Sequence, residues 1–346
     1  MHDQGLNFIK QNKKKNPLHL VALLFLLIMG ILGGMFLEKA VSVGDTKSLI
    51  TPEGSITITI GGSYNPPPSV RGQNPSVAKS IAELFAFSDL RIVSLAAPVD
   101  NNAVLSDKKG PAIHPSISSF LKESKINIVQ LSDHRILSFG AAGLINTLDF
   151  LHINGIQQIG VGLSKEEALA PIYFSKEDKT IAILALNANP PPGWAAGKNR
   201  LGVAFYDSDY LPEILKDAGS KSDAIIVLIS FTNESSEQEQ KDLARKLIDQ
   251  GINVIVGTGM GPLQKVERYK HGVIFYNIGN LSSPPAMFSY AKESVLLKIA
   301  LQPEGKMEIK AIPLIADHSS VKTARGGFYE WKISKRLGDR LWILDI

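Results

Sequence analysis

From Ile56 onward, short runs of branched apolar residues recur along the chain, bounded by glycine or polar positions. Segments with apolar residues at helical spacing separate most of them. ITITI at 56–60 reads as a strand ending at Gly61-Gly62. LRIVSL at 90–95, INIVQL at 126–131, TIAILAL at 180–186, AIIVLISF at 224–231 and INVIV at 252–256 read as further strands, with another ending at Gly160. Helices are predicted over 74–87, 115–124, about 140–153 and 236–250, and Ser164 and Glu167 have capping-box spacing at the start of a short one. Runs 272–278, 294–301 and 306–314 then follow one another without helices, which predicts antiparallel pairing. Continuous apolar strands between helices imply sheets buried on both faces. The expected fold is therefore α/β, a four-layer α/β/β/α sandwich of two packed mixed sheets. No internal repeat is visible.

A different pattern precedes it. Leu18–Leu37 is twenty residues long and carries no formal charge. As a helix rising ~1.5 Å per residue it would span ~30 Å, the hydrocarbon thickness of a bilayer. Lys10, Lys13, Lys14 and Lys15 precede it, so the expected topology is a single transmembrane helix with a cytoplasmic N-terminus. A signal-peptide h-region is usually ~7–15 residues, so an uncleaved anchor is preferred to a leader cut near Ala40-Val41-Ser42. The expected organisation is a basic tail at 1–17, an anchor at 18–37, a linker at 38–54, the α/β domain at 55–316 and a basic extension at 317–346. That extension carries Trp331 and Trp342.

Composition narrows the classes. The 346 residues are 44% hydrophobic and 20% charged, which excludes a mainly disordered chain. Without cysteine there is no disulfide framework, zinc ribbon, iron–sulfur cluster or thiol nucleophile. Most of the formal charge of +4 sits before the apolar segment, so no clustered nucleic-acid footprint is expected.

Common motifs fail on inspection. Gly193–Lys198 is one residue short of a phosphate-binding loop, and Asn199 stands where its Ser or Thr belongs. Gly257, Gly259 and Gly261 imitate a dinucleotide loop, but Pro262 follows. Gly62-Ser63-Tyr64 lacks the closing glycine of a nucleophile elbow. No two histidines have metal-ligand spacing. His114 fits a helix entry, His152 a helix surface and His271 a hairpin tip. Only Asp133-His134-Arg135 stands just past a strand end, where open sheets place ligands.

The segments SDLRIVSLAAPV (88–99), IVQLSDHRILSFG (128–140), DLARKLIDQGINVIVG (242–257) and YKHGVIFYNIGN (269–280) resemble the CapA/PgsA family of poly-γ-glutamate (capsule) biosynthesis proteins. That family's domain is similar to a calcineurin-type metallophosphoesterase. The resemblance covers about 55–316 and, more loosely, the KKKNP run at 13–17 and the anchor. It implies a metal site at the strand ends, where this chain departs. The first-strand Gly-Asp is Gly62-Ser63, and the Asn-x-Glu is Ser94-Leu95-Ala96. The Asn-Asn-His falls on Asp133-His134-Arg135, with Ser138 for the following acid. The His-Trp-Gly is Ser230-Phe231-Thr232, and the His-x-His is Gly259-Met260-Gly261. Two ions ~3.5–4 Å apart need converging carboxylate, imidazole and amide donors. Hydroxyls are poor neutral ligands, and alanine and glycine offer no side-chain donor. The expectation is a retained fold with no metal or other cofactor, and Asp133, His134 and Arg135 as a remnant.

Three proline runs follow predicted strand ends: Pro66, Pro67 and Pro68; Pro190, Pro191 and Pro192; Pro284 and Pro285. With Tyr64, Trp194, Phe288 and Tyr290 they suggest a rigid rim that docks a partner or polymer; the alternative is strand-terminating loops. The functional expectation is a non-catalytic, single-pass plasma-membrane subunit of a poly-γ-glutamate synthesis and export complex, its C-terminal domain extracytoplasmic, acting by scaffolding or polymer guidance. The resemblance implies an ATP-dependent amide ligase and a small multi-pass membrane protein as companions. The competing expectation is an extracytoplasmic hydrolase, phosphoesterase-like or polymer-cleaving, with a site rebuilt around Asp133 and His134. A third is a small-ligand sensor on the same scaffold.

Overall fold

The branched apolar runs fold into two mixed sheets. The structure, a computed structural model, describes residues 51–64, 81–100, 112–207, 209–231, 235–259, 261–282, 292–316, 320–338 and 343–345, together with Leu24. In chain order the first elements are β1 (Ile56–Tyr64), β2 (Leu90–Leu95), α1 (Ile117–Glu123), β3 (Ile128–Gln130), α2 (Gly140–Ile153), β4 (Gln157–Ile159) and β5 (Val161–Gly162). Next come α3 (Lys165–Leu169), β6 (Ile172–Lys176), β7 (Lys179–Asn187), β8 (Gly202–Val203), α4 (Leu211–Lys221), β9 (Ala224–Ser230), α5 (Glu237–Asp249) and β10 (Val254–Thr258). The last are β11 (Val266–Tyr269), β12 (Gly272–Phe275), β13 (Asn280–Ser282), β14 (Glu293–Leu301), β15 (Met307–Ala316), β16 (Val321–Thr323), α6 (Gly327–Leu337) and β17 (Ile343–Asp345).

The larger sheet has the order β16-β15-β14-β1-β2-β3-β4, with β13 also beside β1 and β17 also beside β15. Strands β1 to β4 are parallel, and β14 and β15 form an antiparallel pair against β1. The smaller sheet has the order β11-β12-β10-β9-β7-β6, parallel in its centre and antiparallel at both edges. One expectation is corrected here. The strand within the 272–278 run, β12, does not pair with the strands that follow it, although the Ile278 carbonyl beyond it accepts from the Val295 amide of β14 at 2.9 Å. Turning at Lys270-His271, β12 runs antiparallel to β11 and parallel to β10, inside the smaller sheet.

Alternation along each strand explains why the sheets stack. Ile56, Ile58, Ile60, Ile92 and Ile128 of the larger sheet meet Ile181, Ile183, Ile226, Leu228, Val254 and Val256 of the smaller in one buried cluster. The opposite faces turn to helices. Val93, Leu95 and Val129 pack with Phe120 and Leu121 of α1 and Leu144 and Leu151 of α2. Leu184, Ile225 and Val227 pack with Leu211 and Leu215 of α4 and Leu247 of α5.

The chain divides into two compact units, Met1–Thr46 with Gly326–Phe328, and Lys47–Arg325 with Tyr329–Ile346; both sheets lie in the second. There, β16 and β17 extend the larger sheet, and Ile333 and Leu337 of α6 join the inner cluster. Lys332 and Arg336 ion-pair with Glu293 at the start of β14, a residue only 3% exposed. Among the described residues no helix is long and apolar enough to cross a membrane. Leu18–Leu37, apart from Leu24, lies outside them.

Candidate functional site

The inner stripe of each central strand is apolar until its last position, which is polar. The series are Ile58, Ile60 and Ser63 in β1; Leu90, Ile92 and Ser94 in β2; Ile128 and Gln130 in β3. In the smaller sheet they are Ile183, Ala185 and Asn187 in β7; Ile226, Leu228 and Ser230 in β9; Val254, Val256 and Thr258 in β10. Register aligns these ends. Ser63 pairs with Ser94 and Asn280, and Ser94 with Gln130, giving a row across the larger sheet. Asn187, Ser230 and Thr258 form a second row across the smaller one. All seven are buried.

Hydrogen bonds tie the rows together between the sheets. Thr258 Oγ1 donates to Gln130 Oε1 at 2.8 Å, and the Gly259 amide donates to Ser63 Oγ at 3.0 Å. Asn187 Nδ2 donates to the Ser132 carbonyl at 2.8 Å, and Ser132 Oγ to the Leu186 carbonyl at 3.1 Å. Gln130 Nε2 completes the set through Ser132 Oγ at 2.9 Å. The result is a neutral polar clasp at the carboxyl ends of the strands.

Two glycines make it fit. Strand β1 does not stop at Gly61-Gly62 as predicted. It continues to Tyr64 with a register shift between Ile60 and Ser63. A Cβ on Gly62 would lie 2.0 Å from the Gly279 carbonyl oxygen, so the neighbouring chain reaches it only because it is glycine. The shift reverses the phase of the strand, turning Ser63 inward and Tyr64 outward. Gly259 has φ +110°, and a Cβ there would stand 3.2 Å from Ser230 Oγ.

This phase change overturns the rim position of Tyr64. Its ring is stacked on Phe120, centroids 4.3 Å apart, inside the helix-covered cluster, and burial pushes its hydroxyl well above the usual phenol range. Trp194 is half-buried against the same cluster, its amide donating to the Pro191 carbonyl at 3.0 Å, so the two form a tight turn. Pro66, Pro67, Pro68, Pro284 and Phe288 lie outside the described residues.

Asp133 is fully buried beyond β3. Its Oδ1 accepts from the Arg135 amide at 3.0 Å and from Arg135 Nε at 3.2 Å, with His134 Nδ1 at 3.5 Å. Its Oδ2 has no hydrogen-bond partner among the described residues, and neither have Ser94 Oγ and Ser230 Oγ. Ala96 is buried after β2, and Gly261 is half-buried in the connection after β10. No three of His, Cys, Asp or Glu come together as a metal-binding group among the described residues.

The paired ions implied by the resemblance do not fit these residues. Both rows offer only neutral hydroxyls and carboxamides, with Gln130 Oε1 and Ser63 Oγ already accepting hydrogen bonds; a divalent pair needs several anionic or imidazole donors. None of the described row hydroxyls hydrogen-bonds an imidazole that could activate it. Gln130, Ser132, Asn187, Thr258 and Asn280 were not singled out from sequence. Their signal was a neutral polar residue at or just past the end of an apolar run, which gains meaning only through cross-strand register.

The molecule is thus an α/β protein of two packed mixed sheets with a strand-end crest of neutral donors and acceptors. Residues 57–284 match the family described as bacterial capsule synthesis protein PGA_cap, and the chain belongs to that family. It is 24% identical to the PGA biosynthesis protein CapA of Bacillus subtilis over 90% of this chain and 84% of that protein. It is 23% identical to the capsule biosynthesis protein CapA of Bacillus anthracis, covering 96% and 84%. Identity is also 23% to a probable polyglutamine synthesis accessory protein of Mycobacterium tuberculosis, covering 73% and 74%. Among solved structures, NAD nucleotidase of Haemophilus influenzae is similar at 15% identity and TM-score 0.47, over 81% of this chain and 61% of that one. A 5′-nucleotidase precursor from Thermus thermophilus gives 14% and 0.45, over 82% and 57%. The chain therefore spans about three-fifths of those solved chains.

Proposed function

We propose that this chain is a non-catalytic, membrane-anchored accessory subunit of a capsular poly-γ-glutamate synthesis and export assembly. Its domain forms a four-layer α/β/β/α sandwich outside the plasma membrane, held there by Leu18–Leu37. It works by scaffolding the assembly or guiding the polymer, alongside an amide ligase and a multi-pass membrane subunit. The observation that carries the reading is the crest: Ser63, Gln130, Asn187 and Thr258 close it with hydrogen bonds where catalysis by paired metals would need charged ligands. The names of the Bacillus relatives, a PGA biosynthesis protein and a capsule biosynthesis protein, support the choice of pathway.

One observation favours a second reading. Asp133 Oδ2 is buried without a described partner beside His134, which would suit a rebuilt acid–base pair in a hydrolase. A single complementation experiment separates the two. In a polymer-producing host, deletion of the gene abolishes surface polymer, and full-length Asp133→Asn/His134→Ala restores it to the level of the unaltered gene. Loss of polymer with that variant, at normal protein abundance, would decide for the hydrolase.

A further inference from the structure

At the amino ends of the parallel strands, opposite the crest, the chain makes an unusual choice of residue. Helices α2 and α5 close on Gly155 (φ +69°) and Gly251 (φ +100°), glycine being the residue that adopts left-handed backbone without steric cost. The helical turn at 81–85 and α1 are followed by the same conformation at Phe87 (φ +63°) and Lys125 (φ +50°), where a side chain is strained. Phe87 is nevertheless 96% exposed and Lys125 is exposed, so packing within the fold offsets neither strain. Ile153, the last residue of α2, is 81% exposed in the next connection. We propose that this end of the larger sheet rests on the lipid bilayer, with Phe87 and Ile153 at the boundary of headgroups and acyl chains and Lys125 reaching headgroup phosphates. The proposal rests on the reading that Leu18–Leu37 spans the membrane.

The three connections are adjacent and tied together. They lead into β2, β3 and β4, which are neighbours at ~4.8 Å spacing, so the strand starts that carry Phe87 and Ile153 lie about 10 Å apart. Arg91 Nε donates to the Phe85 carbonyl at 3.2 Å, and its Nη1 to the Lys125 carbonyl at 3.4 Å. Asn127 Nδ2 donates to the Asp89 carbonyl at 2.9 Å, and the Asn127 carbonyl accepts from the Gln157 amide at 3.0 Å. Side chains presented on a fixed base lose little freedom on docking. An aromatic and an aliphatic side chain with a lysine between them suit an interface that is apolar below and charged above. Chain path selects the bilayer over other apolar partners. Residues 51–55 enter β1 at this same end, where Lys176 Nζ holds the Ser55 carbonyl at 2.9 Å. The segment leading from Leu18–Leu37 therefore joins the domain at the end that presents these side chains.

Because the chain has no cysteine, Phe87→Cys, Ile153→Cys and Leu163→Cys can each carry a single nitroxide in the full-length protein. Leu163 is also exposed, but beyond the carboxyl end of β4, and serves as the control. On reconstitution into phosphatidylglycerol–phosphatidylethanolamine vesicles, labels at 87 and 153 should become several-fold more accessible to oxygen than to a water-soluble nickel chelate. The label at 163 should stay aqueous. Adding Phe87→Gly should return the label at 153 to water and leave thermal melting unchanged or higher, because glycine relieves the left-handed strain. Labels at 87 and 153 that stay open to the chelate overturn the contact. Protection from both reagents also overturns it and marks a protein partner, such as a second copy. Flotation with the vesicles reads the anchor separately: a protein that floats with aqueous labels keeps the anchor and loses this contact, and one that does not float loses both.

Discussion

The serines of the crest look alike in sequence but do different work. Ser63 Oγ receives a buried backbone amide from Gly259, and Thr258 Oγ1 satisfies Gln130, whereas Ser94 Oγ and Ser230 Oγ meet no described partner. Removing half of a buried hydrogen bond strands the other half, at about 1–3 kcal/mol. Removing an unpartnered buried hydroxyl relieves a desolvation cost instead. Ser63→Ala and Thr258→Val are therefore expected to lower the unfolding free energy by about 1–3 kcal/mol each, while Ser94→Ala and Ser230→Ala leave it unchanged or raise it. Chemical denaturation of the four variants checks this, and an equal loss in all four would contradict the clasp.

Between elements, the sheets are joined a second time near the amino end of β1. Asp89 Oδ2 accepts from the Thr57 amide at 2.8 Å and from Thr57 Oγ1 at 2.7 Å. Lys176 Nζ of β6 donates to Asp89 Oδ1 at 3.1 Å and to the Ser55 carbonyl at 2.9 Å. Burial alone would raise the Asp89 carboxyl, but the bonds from Thr57 and Lys176 outweigh it and hold the group below the usual carboxylate range. A lowered folded value means the stabilisation is complete above the unfolded value of about 3.9 and fades as pH falls through the folded one. Asp89→Asn should cost about 1–2 kcal/mol near neutrality, at the lower end because solvent screens the pair. The gap to the unaltered protein should close below about pH 4, which melts at two pH values would show; a gap that persists in acid would mean lost packing. Elements of this kind were legible unevenly. The β2 run and the 140–153 helix were readable because periodicity persists over several positions. Partnership was not: whether 272–278 joined one sheet or the other depended on a turn at Lys270-His271. Nor was α6, whose inward stripe is little more than Ile333 and Leu337.

For the molecule as a whole, the candidate site was half legible for the same reason. The pattern implied by the resemblance pointed to Ser63, Ser94, Ser230 and Gly259, which the structure brings to the strand ends, but not to the hydrogen bonds made there. Those bonds are a property of two sheets in register, set by the phase shift at Gly61-Gly62 and closed by Gln130 and Asn187. On such a scaffold, bound ions would join the sheets and stabilise the folded state by mass action, about 2.7 kcal/mol at a hundred times the dissociation constant. In a domain of this size that would lift the melting temperature by roughly 5 °C or more. Here hydrogen bonds already make the connection, and the oxygens of Ser63, Gln130 and Thr258 that make it would have to break it to take up a cation. The melting temperature of the full-length protein in detergent should therefore move by less than about 1 °C when EDTA, manganese or zinc is added. A rise of several degrees with one metal, reversed by EDTA and absent in Asp133→Asn, would show that the remnant around Asp133 still recruits an ion and that the crest opens to receive it.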